Sequence, residues 1–393
     1  MSRQWVECTL GDVLAELKNG LNCKQDKSGR GDRISRIESV SDGTFDDARV
    51  GFAILTDAEK QRYRLKRDDI LFSHINSPPH VGKIAIFESD TPVFHGVNLL
   101  LLRPLKEVDP KFLFYFLVRL RASGYWEENC KKSVNQASVN QKDIAKVAFR
   151  YPRSLEEQQR IVVVLDEAFA AIATATANAE KNIANARELF EAAFRQRFDH
   201  VGNGWQIYNL PEIGENWDYL RRPVTKSDRV PGDVPYYGAS GQVDSVRDHL
   251  FDDDLLLISE DGANLLMRTY PIAFSISGKS WVNNHAHILK FDDMATQRLV
   301  EYYLNSISLA PWVSGMAQPK LNQKALNSIP VPLPPKSERA KLVGELDDLA
   351  DRIERLEENQ KQKLATLAGL KQSLLHRAFT GGLTAATPNL ALA

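Results

Sequence analysis

The pair His285-Ala-His287 is the pattern in the chain that most resembles a metal site. On a strand, two histidines separated by one residue place their imidazoles on the same face, where both can bind one ion. A structural or catalytic zinc site needs at least one further protein ligand, and the sequence offers no convincing third one. We therefore predict that the chain holds no metal.

The segment Asn76-Ser-Pro-Pro-His80 faintly resembles the Asn-Pro-Pro-Tyr loop of amino-methyltransferases, but it contains an inserted serine. No glycine-rich loop for a methyl donor follows a predicted strand. The sequence also shows neither a GxxxxGK[ST] phosphate loop nor a paired-carboxylate nuclease cluster with a nearby lysine. We therefore expect no catalytic residue and no cofactor in this chain.

Polar and basic loops offer a different chemistry, the direct reading of DNA bases. Arginine and lysine pair with guanine, and asparagine and glutamine pair with adenine. Each such residue alone is more often part of an ordinary turn or a solvated loop, so the prediction concerns the group. The candidate DNA-binding residues are Arg30, Arg33, His74, Asn76, Lys83, Gln136 and Lys142 in the first half, and Tyr236, Tyr237, Gln242, Lys279, Asn283, Asn284, Lys320 and Lys324 in the second.

The overall charge does not by itself indicate nucleic acid. The 393 residues have a formal net charge of −1. Residues 1–150 carry 24 Lys and Arg against 20 Asp and Glu, a net +4, whereas residues 201–335 carry 11 against 15, a net −4. A lone, tight DNA binder is usually more basic. Either DNA is not the ligand, or partners supply much of the phosphate contact.

Cysteine usage and hydropathy limit the compartment. Three cysteines without a CxxC pair argue against a disulfide framework or a zinc ribbon, and they suit the cytoplasm. The start MSRQWVECTL lacks the apolar core of a signal peptide. We see no run of about 18 apolar residues and predict no membrane span.

An internal repeat organises the chain. Residues 136–142 and 318–324 share the pattern QxxxNQK, with an offset of 182 residues. Weaker matches occur in the same order at offsets of 181 to 187, among them Asp69-Ile-Leu-Phe-Ser73 with Asp254-Leu-Leu-Leu-Ile-Ser259. A chance likeness between polar loops would explain one match, but it does not explain an ordered series. The sequence therefore predicts two halves, each a globular α+β lobe followed by a long helix.

The two helices are predicted to pair with each other. Each runs about 44 residues, far longer than the average helix of about 12. The first begins near Ser154, which forms an S-x-x-E capping box with Glu157, and the second follows Pro335. Apolar residues step 4-3-4-3-4, with a stutter at Ala179 and Gln360. The seam comprises Ile161, Leu165, Ala168, Ile172, Ala175 and Ala179, and Leu342, Leu346, Leu349, Ile353, Leu356 and Gln360.

This order of lobe, helix, lobe and helix resembles the specificity subunit of type I restriction–modification systems over nearly the whole chain. The likeness is carried by Asp69–Ser77, Tyr237-Gly-Ala-Ser-Gly241, Glu260-Asp-Gly-Ala-Asn264, both QxxxNQK loops and Glu156-Glu-Gln-Gln-Arg-Ile161. The second helix departs from the family pattern, because Lys336-Ser-Glu-Arg-Ala-Lys replaces a Glu-Gln-Gln-Arg-type start.

The resemblance implies an α+β fold with an internal pseudo-two-fold repeat, in which an antiparallel coiled coil joins and separates two target recognition domains. These would be residues 1–152 and 200–335, with spacer helices at 153–199 and 336–381 and a disordered tail at 382–393. It also implies a cytoplasmic, non-catalytic subunit that reads a bipartite site on double-stranded DNA. Two methyltransferase subunits and restriction subunits would be its partners, and they would use S-adenosylmethionine, ATP and Mg²⁺. The alternatives are a stand-alone DNA methyltransferase or a coiled-coil scaffold unrelated to DNA.

Overall fold

The computed structural model describes residues 5–41, 43–134, 136–199, 204–315 and 317–383. Most of the predicted tail at 382–393 lies outside these residues. The chain divides into two compact units, one formed by residues 1–179 with 362–393 and the other by residues 180–361. Each unit contains one α+β lobe and one stretch of each long helix, so the predicted fold class is confirmed.

The first unit is built on a six-stranded sheet of order β2-β10-β7-β9-β5-β4. Its central strands β7 and β10 are apolar runs buried on both faces, which is typical of a strand covered on each side. The elements are β1 Trp5–Thr9, α1 Leu10–Val13, β2 Leu14–Asn19, β3 Asp32–Ile34, β4 Val40–Ser41, β5 Gly43–Phe45, β6 Gly51–Ala53, α2 Asp57–Tyr63, β7 Ile70–Ser73, β8 Ile75–Asn76, β9 Ile84–Ile86, β10 Leu99–Pro104, α3 Pro110–Ala122, α4 Tyr125–Glu128, β11 Lys131–Ser133, β12 Gln136–Ser138, α5 Gln141–Ala145, β13 Ala148–Pro152 and the first part of α6 Leu155–Asp199.

The second unit has two four-stranded sheets, of order β15-β22-β19-β20 and β17-β16-β21-β18. Strand β19 is again buried along its whole length. The elements are β14 Gln206–Asn209, α7 Leu210–Ile213, β15 Gly214–Asn216, β16 Val234–Gly238, β17 Gly241–Val246, β18 Phe251–Asp252, β19 Leu255–Ser259, α8 Asn264–Met267, β20 Ala273–Ile276, β21 Lys279–Val282, β22 Ala286–Phe291, α9 Met294–Ser306, α10 Gln323–Asn327, β23 Pro330–Leu333 and the first part of α11 Lys336–Phe379.

The lobes repeat one topology. In each, the first strand pairs antiparallel with the strand that leads into the long helix, β1 with β13 and β14 with β23. The central strands also share a register, because Ser73 pairs with Leu99 as Ser259 pairs with Ala286. This register makes Leu100 and His287 equivalent, and likewise His74 and Glu260. Strand β10 begins at Leu99, directly after Asn98 with φ of 71°.

Within each unit, the two long helices run antiparallel. In the first, Ile161 and Leu165 share a core with Leu375 and Phe379. In the second, Arg187 bonds Glu357 at 2.7 Å and Arg197 bonds Glu345 at 3.1 Å. The predicted seam is wrong at Leu356, because this side chain is 38% exposed. The neighbouring Glu357 faces the partner helix instead, where it accepts the Arg187 hydrogen bonds.

Each lobe is fastened to the start of its helix by one buried side chain. Gln158 donates to the carbonyl oxygen of Pro152 at 2.9 Å and accepts from the backbone of Asp109 at 2.8 Å. At the equivalent place, Arg339 donates to the carbonyl oxygen of Pro334 at 3.0 Å and to Thr296 Oγ1 at 2.8 Å. The second helix therefore departs from the Glu-Gln-Gln-Arg pattern by having Arg339 in place of a glutamine, but the hydrogen bonds that attach the lobe to the helix are kept.

A second contact is also duplicated. Tyr115 of α3 donates its hydroxyl hydrogen bond to Asp166, and Tyr302 of α9 donates to Asp347. Both tyrosines are oriented by helices that begin with a capping aspartate. Asp109 accepts from Phe112 N at 3.0 Å, and Asp293 accepts from Thr296 N at 2.8 Å. The tyrosines therefore attach each lobe to its long helix at a fixed orientation.

By length and composition alone, residues 155–198 of α6 could cross a membrane. Two segments are responsible: the apolar run 161–165, and the stretch 168–179, which contains only alanine, phenylalanine, isoleucine, threonine and asparagine. One face of this stretch is already covered, because Ile172 and Ala179 are buried in the first unit. The absence of a membrane span stays a prediction.

Candidate nucleic-acid interface

In the first lobe, the QxxxNQK loop lies beside the segment that follows the central strand. Strand β12, which begins the loop, pairs with β8, so that Ala137 lies opposite Asn76. Val139 N donates to the carbonyl oxygen of His74 at 2.9 Å. Asn140 caps α5, because its side chain accepts from Asp143 N at 3.0 Å. The asparagine of the pattern therefore has a structural role, and it directs Lys142 onto an exposed first turn.

This arrangement brings together three of the candidate residues, His74, Asn76 and Gln136. The Asn76 amide donates to Ser73 Oγ at 3.1 Å and accepts from Ser77 N at 2.8 Å, so it also holds its own turn. Burial lowers the pKa of His74, which favours a neutral imidazole beside the loop. Lys83 lies next to this turn, where its carbonyl oxygen accepts from Ser73 N at 2.7 Å.

The β11–β12 hairpin that precedes the loop is the most exposed part of this region. Lys131, Lys132 and Gln136 are exposed, and Val134 near the tip is 92% exposed. Ammonium and amide groups of this kind suit phosphate and base edges. The other two candidates lie elsewhere. Arg30 is exposed before β3, and Arg33 in β3 is paired with Asp47 at 3.0 Å.

In the second lobe, four segments converge at the end of β19. Asn283 N donates to the carbonyl oxygen of Tyr237 at 3.0 Å, and Glu260 N donates to that of His285 at 2.8 Å. The 318–324 loop joins this group, because Gly262 N donates to the carbonyl oxygen of Pro319 at 3.0 Å. Asn322 caps α10 through Ala325 N at 2.9 Å, as Asn140 caps α5. The two loops therefore have the same local structure.

The second-lobe candidates divide by exposure. Gln242, Lys279, Asn284, Lys320 and Lys324 are exposed. Among them, Lys279 lies opposite Asp252, at the other end of β21 from Asn283 and Asn284.

Three other candidates mainly hold the lobe together. Tyr236 is buried, and its hydroxyl contacts the backbone of Val224. The buried Asn283 accepts from His285 N at 2.8 Å. Tyr237 is partly buried and packs near Phe274, with ring centroids 6.0 Å apart.

A largely buried group of charges lies beneath the second loop, and sequence reasoning missed two of its members, Asp218 and Arg221. Lys320 contacts Glu260 at 3.1 Å, Glu260 contacts Arg221 at 2.5 Å, and Arg221 lies 3.5 Å from Asp218. Asp218 in turn accepts from His287 Nδ1 at 2.6 Å. These residues are up to about 100 positions apart in sequence, so only the Glu260–Asn264 and HxH patterns could have drawn attention to them.

The acidic members of this group stay ionised. Burial opposes the charge of Asp218, but hydrogen bonds from His287 and Ile288 N and the nearby Arg221 hold its pKa below the usual value. Burial likewise opposes the charge of Glu260, while Arg221, His287 and Lys320 lower its pKa. The group therefore consists of formal charges that compensate one another.

The HxH pair does not form the metal site that its spacing suggested. Only His287 lies in strand β22, whereas His285 precedes it. His285 Nδ1 bonds Asp261 at 2.8 Å, and His287 bonds Asp218. Among the residues that the structure describes, no three His, Cys, Asp or Glu side chains are grouped to hold an ion.

Comparison with known proteins identifies the class. The family described as the type I restriction modification DNA specificity domain matches residues 2–183 and 202–366, one copy in each half. The specificity subunit of the type I restriction enzyme MjaX of Methanocaldococcus jannaschii is 29% identical over 98% of this chain and 94% of its own length. That of EcoKI from Escherichia coli is 27% identical over 52% of this chain and 45% of its length.

Solved structures agree in fold. One, from a study of complex assembly and conformational transition of the type I R-M system, gives a TM-score of 0.76 at 18% identity, covering 96% of this chain and 98% of its own. The HsdS subunit from Thermoanaerobacter tengcongensis gives a TM-score of 0.58 at 19% identity, covering 96% and 97%. This chain therefore belongs to the type I restriction modification DNA specificity family. Its role is that of a specificity subunit, which is not a catalytic one.

Proposed function

We propose that this chain reads a two-part site on double-stranded DNA, with residues 1–152 reading one half and residues 200–335 reading the other. The observation that carries the proposal is the duplicated loop. In each lobe, a QxxxNQK loop pairs with the segment after the central strand, and a capping asparagine directs its lysine outward. Amide and ammonium groups supported by a rigid sheet are suited to base edges and phosphates.

The chemistry would belong to the partners. Two methyltransferase subunits would bind S-adenosylmethionine and methylate adenines, and restriction subunits would use ATP and Mg²⁺ within a cytoplasmic complex. The outer face of α6 supports such assembly. Exposed Val163 and Val164 and the uncharged stretch 168–179 provide an apolar surface that a methyltransferase subunit could cover. A partner that contributes phosphate contacts would also explain the modest charge of this chain.

A lobe exchange tests the proposal. Residues 1–150 are replaced by the matching lobe of a related subunit, and methylated adenines are mapped across the genome of the host strain. We expect one half of the methylated motif to change and the other to persist, because each lobe has its own loop and core. The reciprocal exchange of residues 200–335 is the matched control, and it should change the other half. A change in both halves, or in neither, would contradict the proposal.

A further inference from the structure

The second loop rests on a histidine whose surroundings define its protonation. His287 is 1% exposed, and both ring nitrogens are hydrogen-bonded. Nδ1 lies 2.6 Å from Asp218 Oδ2, and Nε2 lies 2.7 Å from the carbonyl oxygen of Leu321. A carbonyl oxygen can only accept a hydrogen bond, and so can an ionised carboxylate. Asp218 is ionised, because it also accepts from Ile288 N at 2.8 Å and faces Arg221. Both ring nitrogens must therefore carry hydrogens.

The surrounding charges are consistent with an imidazolium. Asp218 and Glu260 approach His287 directly, the latter at 4.0 Å from Nδ1, and Asp261 is paired with His285 close by. The permanent cations among these neighbours are Arg221 and Lys320, both of which contact Glu260. Two carboxylates therefore lie within 4.0 Å of His287 Nδ1, a setting that favours a positive charge on the ring.

The histidine acts on the loop through the backbone of Leu321. Leu321 N donates to the carbonyl oxygen of Glu260 at 2.8 Å, and Leu321 O accepts from His287. Lys320, directly before it, is fixed by its contact with Glu260. The segment between Pro319 and the cap residue Asn322 is thus held on both sides. In the first lobe, Leu100 occupies the position of His287. Among the described residues, that lobe has only the first of the two contacts, in which Val139 N donates to the carbonyl oxygen of His74.

We propose that His287, as an imidazolium between Asp218 and Leu321, is a positioning residue that sets the second QxxxNQK loop for DNA reading. This rests on the proposed function of that loop. Without the second hydrogen on the ring, one nitrogen lone pair would face an oxygen lone pair, and the loop would separate from β22. The second half-site should therefore depend on His287, whereas the first should not.

The charge state can be measured without DNA. Histidine ¹⁵N resonances of the full chain are recorded at pH 7, and His287→Gln is used to assign the signal. We expect the shifts of a doubly protonated ring, because both ring nitrogens lie against oxygen acceptors. A single neutral tautomer at pH 7 in the wild-type chain would overturn the proposal.

The positioning role is measured on DNA with the chain assembled with its methyltransferase subunits. Two duplexes are compared, one with both half-sites of the mapped motif and one with the second half-site scrambled. His287→Leu, which copies the first lobe, should reduce the preference for the intact duplex about 10- to 100-fold, the scale of a buried acceptor left unpaired. His285→Gln is the matched control and should change it less than about threefold, because His285 is half exposed.

The outcomes separate the two claims. If wild-type binding does not depend on the second half-site, the proposed function and this proposal both fail. If it does depend on it and His287→Leu preserves the preference, only the positioning role is overturned. His287→Gln, which keeps one donor, should give an intermediate loss. In His287→Leu, amide hydrogen exchange at 318–324 should be faster than in the wild-type chain, while exchange in β19 and β22 should be unchanged. Slower or equal exchange in the loop of the variant would count against the proposal.

Discussion

The two lobes share a fold but differ in how each holds a buried histidine, at positions that are not equivalent. In the first, His95 is fully buried, and one ring nitrogen, Nε2, contacts the carbonyl oxygen of Leu99 at 3.1 Å. Its other nitrogen has no partner among the described residues. In the second, His287 is equally buried but is bonded at both nitrogens. One topology therefore holds a buried histidine with a single hydrogen-bonded nitrogen in the first lobe and one with two in the second.

The difference shows what the duplication preserved. Capping asparagines, tyrosine–aspartate contacts and loop pairing occur in both halves, because they fix the backbone. Side chains around the loops have diverged, with basic exposed residues on the first hairpin and buried compensating charges under the second loop. A scaffold that stays constant while its loops vary allows each lobe to acquire its own target.

The largest effect should come from the aromatic core of the first unit. Phe112 is fully buried, and its ring centroid lies 4.9 Å from that of Phe379. Phe112→Ala should lower the free energy of unfolding of this unit by about 3–5 kcal/mol. Leu299→Ala, its counterpart in α9, should cost the second unit about 2–5 kcal/mol. Hydrogen exchange under denaturant should locate each loss in its own unit, and equal losses in both would show that the units are not independent.

Acid should weaken the first unit through His95. Burial lowers the pKa of this imidazole from 6.5 to about 4. Below about pH 6.5 the unfolded chain binds a proton that the folded chain takes up only near pH 4, so stability present above pH 6.5 is lost as the pH falls. The loss should reach about 3 kcal/mol.

His95→Gln sharpens this test, because its amide can still donate to Leu99 but does not titrate. Urea unfolding of both proteins between pH 7 and pH 4 gives the difference in stability. We expect the wild-type chain to lose more stability than the variant over this range. Parallel pH profiles would contradict the assignment of the acid sensitivity to His95.

Glutamine should be able to replace arginine at the position that attaches the second lobe to its long helix. Arg339→Leu leaves the Pro334 carbonyl and Thr296 hydroxyl without this partner and should cost about 1–3 kcal/mol. Arg339→Gln should cost less, because Gln158 makes the equivalent contact in the other half. Gln158→Leu is the comparison in the first unit. Thermal unfolding gives the ranking, and an Arg339→Gln loss as large as that of Arg339→Leu would refute the equivalence.

The smallest effects should come from the tyrosine hydroxyls. Tyr115→Phe should cost about 1 kcal/mol, the scale of one hydrogen bond to a partly exposed carboxylate. Tyr302→Phe should cost less, because Asp347 keeps its contact with Arg298 at 2.8 Å. Chemical denaturation of the two variants checks this order, and the reverse order would show that Arg298 does not compensate.

Sequence periodicity predicted the duplicated architecture well, because long helices and buried strands impose regular spacing. The S-x-x-E pattern at Ser154 and Glu157 predicted the start of α6. The candidate DNA-binding surfaces were harder to predict from the sequence. The contacts of Asp218 and Arg221 are with residues distant in sequence. Tyr236 and Asn283, which were predicted to bind DNA, are buried in the lobe.

Hydrogen exchange of the assembled complex on DNA tests the two-reader account most directly. Exchange in the loops 136–142 and 318–324 is compared on three duplexes, one with the full motif and two with one half-site scrambled. The account predicts that scrambling the first half-site removes protection from residues 136–142 alone, and that scrambling the second removes it from residues 318–324 alone. Loss of protection in both loops on either duplex, or in neither, would contradict it.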